Sequence, residues 1–179
     1  PSGRLTMSFP RNVGQLPIYY NHKNTGRPLP ADNPKMDYKS SYLDVANTPL
    51  YPFGYGLSYT TFQISNMQMD KSSMGKGDKV TVTAEVENTG TVDGETVVQL
   101  YIRDLVASVT RPVKELKGFT KVALKAGESK KVSFTVTEAE LSFYDIDLKY
   151  TAEPGNFELW VAADAADETN QASLVYTAK

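Results

Sequence analysis

The sequence contains no cysteine, which excludes disulfides, thiolate metal sites and a cysteine nucleophile. It has one histidine, His22, set in the polar run Asn21-His22-Lys23-Asn24, where a solvated loop position is the plain reading. One imidazole cannot build a histidine zinc site, and Ser-His-Asp chemistry would need this one to be positioned by a partner. No GxGxxG or Walker sequence is present, so no phosphate-cradling loop is expected. No run nears the roughly 18 apolar residues of a membrane helix, and no charged-then-apolar leader opens the chain. There is no Asn-x-Ser/Thr sequon and no excess of one charge: 19 Lys and Arg oppose 21 Asp and Glu, for a net charge of −2. A basic surface for nucleic acid or anionic lipid is therefore not advertised. Cofactors and metals are not expected.

What is present falls into two unlike parts. Eight of the ten prolines lie in the first 52 residues, and seven of the eleven tyrosines lie between Tyr19 and Tyr59. Beyond that the composition turns to Val, Thr, Lys and Glu, which places a boundary near residues 56–62. The first part has little periodicity. Leu5 to Phe9 and Gln15 to Tyr20 are candidate short strands, the latter restricted to an edge by Pro17. Asn24-Thr25-Gly26-Arg27-Pro28 carries turn chemistry, and Ser40 to Val45 suits one helical turn capped by Ser40 or Ser41. So few elements cannot bury a core, so this stretch is expected to pack on a neighbour and to be the remnant of another domain.

The second part is regular. Val80, Val82, Ala84 and Val86 alternate with Thr81, Thr83, Glu85 and Glu87, the period-two pattern of a half-buried strand. Val98, Leu100 and Ile102 alternate in the same way with Gln99, Tyr101 and Arg103. Further strands are read at 62–69, 118–124, 131–136, 157–161 and 172–176, with a helical turn at 138–143. Turns at Asn88-Thr89-Gly90, Lys125-Ala126-Gly127-Glu128 and Pro154-Gly155-Asn156 separate them. Seven short strands at this spacing predict an all-β, immunoglobulin-like or fibronectin-like antiparallel sandwich.

Such a fold names no function. Two carboxylate groups merit weighing, because a glycosidase needs a pair of carboxylates some 5–9 Å apart. Asp145 and Asp147 form one; Asp164, Asp167 and Glu168 form the other. Either admits a reading as a catalytic dyad or as calcium ligands, but neither has EF-hand spacing and Asp is the usual turn former at such places. The segment Tyr51-Pro52-Phe53-Gly54-Tyr55-Gly56-Leu57-Ser58-Tyr59 allows two readings: an aromatic platform for sugar rings, or a strap pinned between domains.

Several motifs carry a family resemblance. Pro1-Ser2-Gly3-Arg4-Leu5 with Ser8-Phe9-Pro10 resembles the closing motif of the second catalytic domain of glycoside hydrolase family 3. The run from Tyr51 to Phe62 resembles that family's linker into its C-terminal fibronectin type III-like domain. Arg111-Pro112-Val113-Lys114-Glu115-Leu116-Lys117-Gly118-Phe119, Leu124-Lys125-Ala126-Gly127-Glu128 and Glu153-Pro154-Gly155 are similar to landmarks inside that domain. The likeness runs nearly end to end and is strongest to the family's periplasmic β-glucosidases. Thr6 departs from the family's usual proline.

The resemblance implies a parent enzyme that releases terminal β-D-glucose by a retaining mechanism. Its Asp nucleophile and Glu acid/base would lie upstream of Pro1, so no catalytic, cofactor or metal residue is assigned in this chain. Residues 1–56 would be the end of the second domain plus the strap, and 57–179 the fibronectin type III-like domain. The chain by itself is expected to be inactive and to dock on the catalytic domains, with Arg111-Pro112 as a candidate contact. A periplasmic or extracellular location follows from the same likeness. A carbohydrate-binding module using the Tyr51–Tyr59 aromatics, or an interaction domain of a surface protein, are the alternatives.

Overall fold

The computed structural model describes residues 1–24, 26–29 and 38–177. Ten strands are present: β1 Phe62–Met69, β2 Ser73–Gly75, β3 Lys79–Asn88, β4 Gly94–Asp104, β5 Glu115–Leu124, β6 Ser129–Thr137, β7 Phe143–Tyr144, β8 Tyr150–Thr151, β9 Gly155–Ala162 and β10 Gln171–Thr177. They form a three-stranded sheet in the order β1-β3-β6 and a five-stranded sheet in the order β2-β10-β9-β4-β5, with β7-β8 as a separate hairpin. All pairings are antiparallel except β10 with the short β2. This is the expected β-sandwich, and each of the seven expected strands is present.

The core between the sheets follows from the alternation. Val80, Val82, Ala84 and Val86 of β3 face Val98, Leu100 and Ile102 of β4 and Phe157, Leu159 and Val161 of β9 in one buried cluster. The helical turn after β6 is shorter than expected, at Glu138–Leu141. Thr137 caps it: its hydroxyl accepts from the Ala139 N–H, and the Glu140 carboxylate accepts from the Thr137 N–H at 2.7 Å. The strands read too weakly from the sequence are β2, only three residues long, and the two-residue β7 and β8. Segments that short have no room to display a period.

The N-terminal part differs from its expected elements. Leu5 to Phe9 and Gln15 to Tyr20 are not strands, and Ser40 to Val45 is not helical. A 3-10 turn at Val13–Gln15 stands instead. The backbone groups of Leu5 and Phe9 are satisfied by the later strap: Leu5 N–H donates to Tyr55 O at 2.9 Å, Gly54 N–H to Leu5 O at 2.8 Å, and Phe9 N–H to Tyr51 O at 2.8 Å. The Leu16–Pro17 peptide is cis. Gln15 is fully buried, and its amide donates to Ala46 O at 2.8 Å, tying 11–16 to 46–48. Thr25 of the expected Asn24–Pro28 turn lies outside the described residues.

Candidate functional site

In the five-stranded sheet the middle of the central strands β4 and β9 is buried on both faces. Four residues of β4 and β9 that point away from the sandwich core, Gln99, Tyr101, Trp160 and Ala162, are at most 3% exposed. Alternation predicts a solvated outer face here, yet described residues of the N-terminal segment cover it. Tyr20 and Phe53 stack at 4.1 Å between ring centroids and pack on Tyr101, Trp160 and Ala162, with Leu116 and Ala165 completing the cluster. Tyr101, beneath them, is wholly buried, and this desolvation pushes its phenol far above the usual range. Its hydroxyl donates to Gln99 Oε1 at 2.6 Å.

Hydrogen bonds stitch this layer in place. Leu116 N–H donates to the Tyr20 hydroxyl at 3.2 Å, Val113 N–H to His22 O at 2.9 Å, and Ala165 N–H to Phe53 O at 2.9 Å. Arg4 donates to Thr96 Oγ1 at 2.8 Å. Gly54 has a φ of +83°, and any Cβ there would strike the Gln99 amide, which donates to Gly54 O at 3.2 Å. Gly56 lies so close to Gly3 O and Arg4 that a side chain would collide. The Tyr51–Tyr59 segment is thus a strap laid along the sheet. Its outward rings are Tyr51, stacked on Tyr55 at 5.2 Å, and Tyr59.

At one end of the covered face sits Lys114, whose side chain is 5% exposed. Its ammonium lies 4.4 Å above the Trp160 ring, donates to Ala165 O at 3.0 Å and Asp167 O at 3.4 Å, and pairs with Glu168 at 3.7 Å. Burial lowers its pKa and these acidic neighbours oppose that shift. Between Lys114, Trp160 and the N-terminal segment lies a cavity of about 530 Å³, lined also by Ser8, Tyr19, His22, Asn24 and Asn47.

The carboxylates singled out from the sequence serve their own turns. Asp145 Oδ1 accepts from the N–H groups of Asp147 and Lys149, both at 2.9 Å, and Asp147 pairs with Lys149 at 3.8 Å. Asp164 accepts from Ala166 N–H at 2.9 Å, and Asp167 from Thr169 N–H at 3.0 Å. Burial raises the Asp164 pKa. No group of three or more His, Asp or Glu side chains among the described residues is placed to hold a metal ion. Arg111 turns inward: its guanidinium lies 4.3 Å above the Phe143 ring and donates to Glu115 at 2.6 Å. Pro112 pairs with Lys23 of the N-terminal segment, so this landmark is engaged within the chain.

The sequence reading passed over Gln99, Tyr101, Trp160 and Lys114. A signal was available: large aromatics occupy the outward positions of two adjacent central strands, as strands buried on both sides require.

A model of the fibronectin type III-like domain matches residues 96–165. A periplasmic beta-glucosidase of Salmonella typhimurium is 52% identical over 166 residues, which span 93% of this chain and 22% of that protein. A beta-xylosidase of Formosa agariphila is 46% identical, over 97% of this chain and 23% of its own length. Among solved structures, a beta-glucosidase from Listeria innocua in complex with glucose superimposes with a TM-score of 0.92 at 42% identity, over 98% of this chain and 24% of that one. The chain thus spans under a quarter of each of these relatives. No helix among the described residues is long and apolar enough to cross a membrane.

Proposed function

We propose, from the premise that this chain belongs to glycoside hydrolase family 3 and carries its fibronectin type III-like domain, that it is a non-catalytic C-terminal module orienting the catalytic domains of a β-glucosidase. The parent would remove terminal β-D-glucosyl residues by a retaining, two-carboxylate mechanism whose residues lie upstream. Residues 1–56 are read as the end of the second catalytic domain plus the strap, and 57–179 as the sandwich. Periplasmic location is proposed from the Salmonella relative's name.

The observation that carries this reading is the adhesive layer on the five-stranded sheet. Residues 1–56 glue themselves to Tyr101 and Trp160 on their inner side. On their outer side they present Met7, Phe9, Val13, Leu16, Leu43 and Leu50, each at least 43% exposed. An apolar surface of this kind is the mark of a further interface. A segment gripped by the sandwich and continuous with a catalytic domain transmits the sandwich's rigidity to that domain, and a carboxylate pair tolerates little displacement. The region's likeness to both a beta-glucosidase and a beta-xylosidase favours a shared scaffold over a specificity element.

The test is removal of residues 57–179 from the full-length parent. The expected result is a fall in melting temperature together with loss of most glucosidase activity on a chromogenic glucoside, while the isolated chain turns over none. A truncated parent with intact stability and rate overturns the reading.

A further inference from the structure

One charged side chain among the described residues is buried, and it stands at the join between the sandwich and its cover: Lys114. Burying an ammonium is costly unless oxygens replace its water, whereas an apolar side chain of similar length would fill the space without that cost. What the ammonium adds is three N–H donors on a single atom. Its three oxygen partners all belong to one loop: Ala165 O at 3.0 Å, Asp167 O at 3.4 Å and the Glu168 carboxylate at 3.7 Å. Lys114 therefore sets the shape of the connection between β9 and β10.

That connection in turn receives the strap. Ala165 N–H donates to Phe53 O at 2.9 Å, and Ala163 O accepts from the same Gln99 amide that donates to Gly54 O. The main chain around Lys114 holds a different stretch of the N-terminal segment. Val113 N–H donates to His22 O at 2.9 Å, Leu116 N–H donates to the Tyr20 hydroxyl at 3.2 Å, and Pro112 pairs with Lys23. Two stretches far apart in sequence are thus fastened to one short piece of chain. One is held by its backbone, the other through the Lys114 side chain.

We propose that Lys114 is the pin of a latch, so that Tyr20–Lys23 and Phe53–Gly54 leave the five-stranded sheet together and not one at a time. The Tyr20–Phe53 stack joins the two stretches to each other; the pin joins the two surfaces to which they are fastened. Without the ammonium, the connection between β9 and β10 loses the shape that meets Phe53. This device lies within the chain and does not rest on the scaffold reading.

Native-state amide exchange reads the latch. The Ala165 amide reports on the strap, and the Val113 and Leu116 amides report on the other stretch. Lys114→Met keeps the apolar stem and removes the donors. It should speed exchange at all three amides by a similar factor of at least about tenfold, the equivalent of one charge-assisted hydrogen bond. Glu168→Gln should change them less than about threefold, because Glu168 is 73% exposed and such ion pairs contribute little. Should Lys114→Met not fold, the unaltered chain in sub-denaturing guanidinium decides: the three amides should share one opening slope, smaller than that of the central β3 amides. The proposal is overturned if Lys114→Met leaves the three amides unchanged or speeds Ala165 alone, or if Glu168→Gln does as much. It is equally overturned if the three slopes differ from one another or match that of β3. None of these outcomes bears on the truncation experiment with the parent enzyme.

Discussion

The two sheets of the sandwich have similar inner faces and opposite outer ones. On β3 the outward residues Thr81, Thr83, Glu85 and Glu87 are half-buried and polar, and the neighbouring β6 shows Lys131, Ser133 and Thr135 to solvent. On β4 and β9 the outward residues Gln99, Tyr101, Trp160 and Ala162 are buried, with Tyr20 and Phe53 of the N-terminal segment packed on them. The difference teaches that this chain has a second, smaller core outside the sandwich. The first core makes a fold; the second fastens a foreign-looking segment to it.

The sharpest way to break the comparison is to remove the cover. A chain beginning at residue 57 should expose Tyr101 and Trp160, bind a hydrophobic dye such as ANS strongly, and aggregate on heating, whereas the full chain should do neither. A smaller blow is Tyr101→Ala. This buried ring, edge-on to Tyr20 at 6.0 Å, should cost about 3–5 kcal/mol in a denaturant melt. Thr83→Ala, on the outward side of β3, should stay within about 0.5 kcal/mol. If the two substitutions cost the same, the two faces are not different in the way argued.

Gly54→Ala should cost roughly 1–3 kcal/mol, because it combines a left-handed backbone with a collision against Gln99. The loss should appear as detachment of the strap, read by earlier proteolysis near residue 54, with the sandwich strands still protected from hydrogen exchange.

The smallest effect concerns pH. Asp104, at the end of β4, has one carboxylate oxygen buried with no partner among the described residues, and burial pushes its pKa up to about 6. Its Oδ1 accepts from the Val106 N–H; Arg111 opposes the shift, and Glu153 and Glu115 add to it. A raised carboxyl pKa means that the folded chain holds the proton more tightly than the unfolded one. Stability from this group is therefore present at low pH and is lost as pH rises from about 4 to about 6. Asp104→Asn should melt higher than the unaltered chain above pH 6, with the gap closing towards pH 4. A gap that does not change with pH refutes this account.

The sandwich was legible in the sequence because period-two alternation survives wherever one face of a strand is buried and the other wet. Val80 to Val86 is the plainest case. The strands β2, β7 and β8 were not legible, being too short to show a period, and the N-terminal elements were misread because they take no shape of their own. Leu5 and Phe9 look like strand residues, but their hydrogen-bond partners sit some 40 to 50 residues away in the strap. Of the candidate site, the carboxylates could be weighed from sequence: Asp145, Asp164 and Asp167 accept from N–H groups of their own turns, and Glu168 pairs with Lys114. Tyr20 and Tyr101 could not be paired, since they are far apart in the chain and meet only across the covered face.

By itself the sequence determined the sandwich, its inward-facing residues and, through Tyr51 to Phe62 and the later landmarks, the family. Those are properties of local order along the chain. Only the tertiary structure decided that Gln99, Tyr101 and Trp160 are core residues, that Arg111 is tied inward, and that the Lys114 ammonium sits over the Trp160 ring. Burial of an outward face depends on what another segment does in space, and period two along a strand carries no record of that.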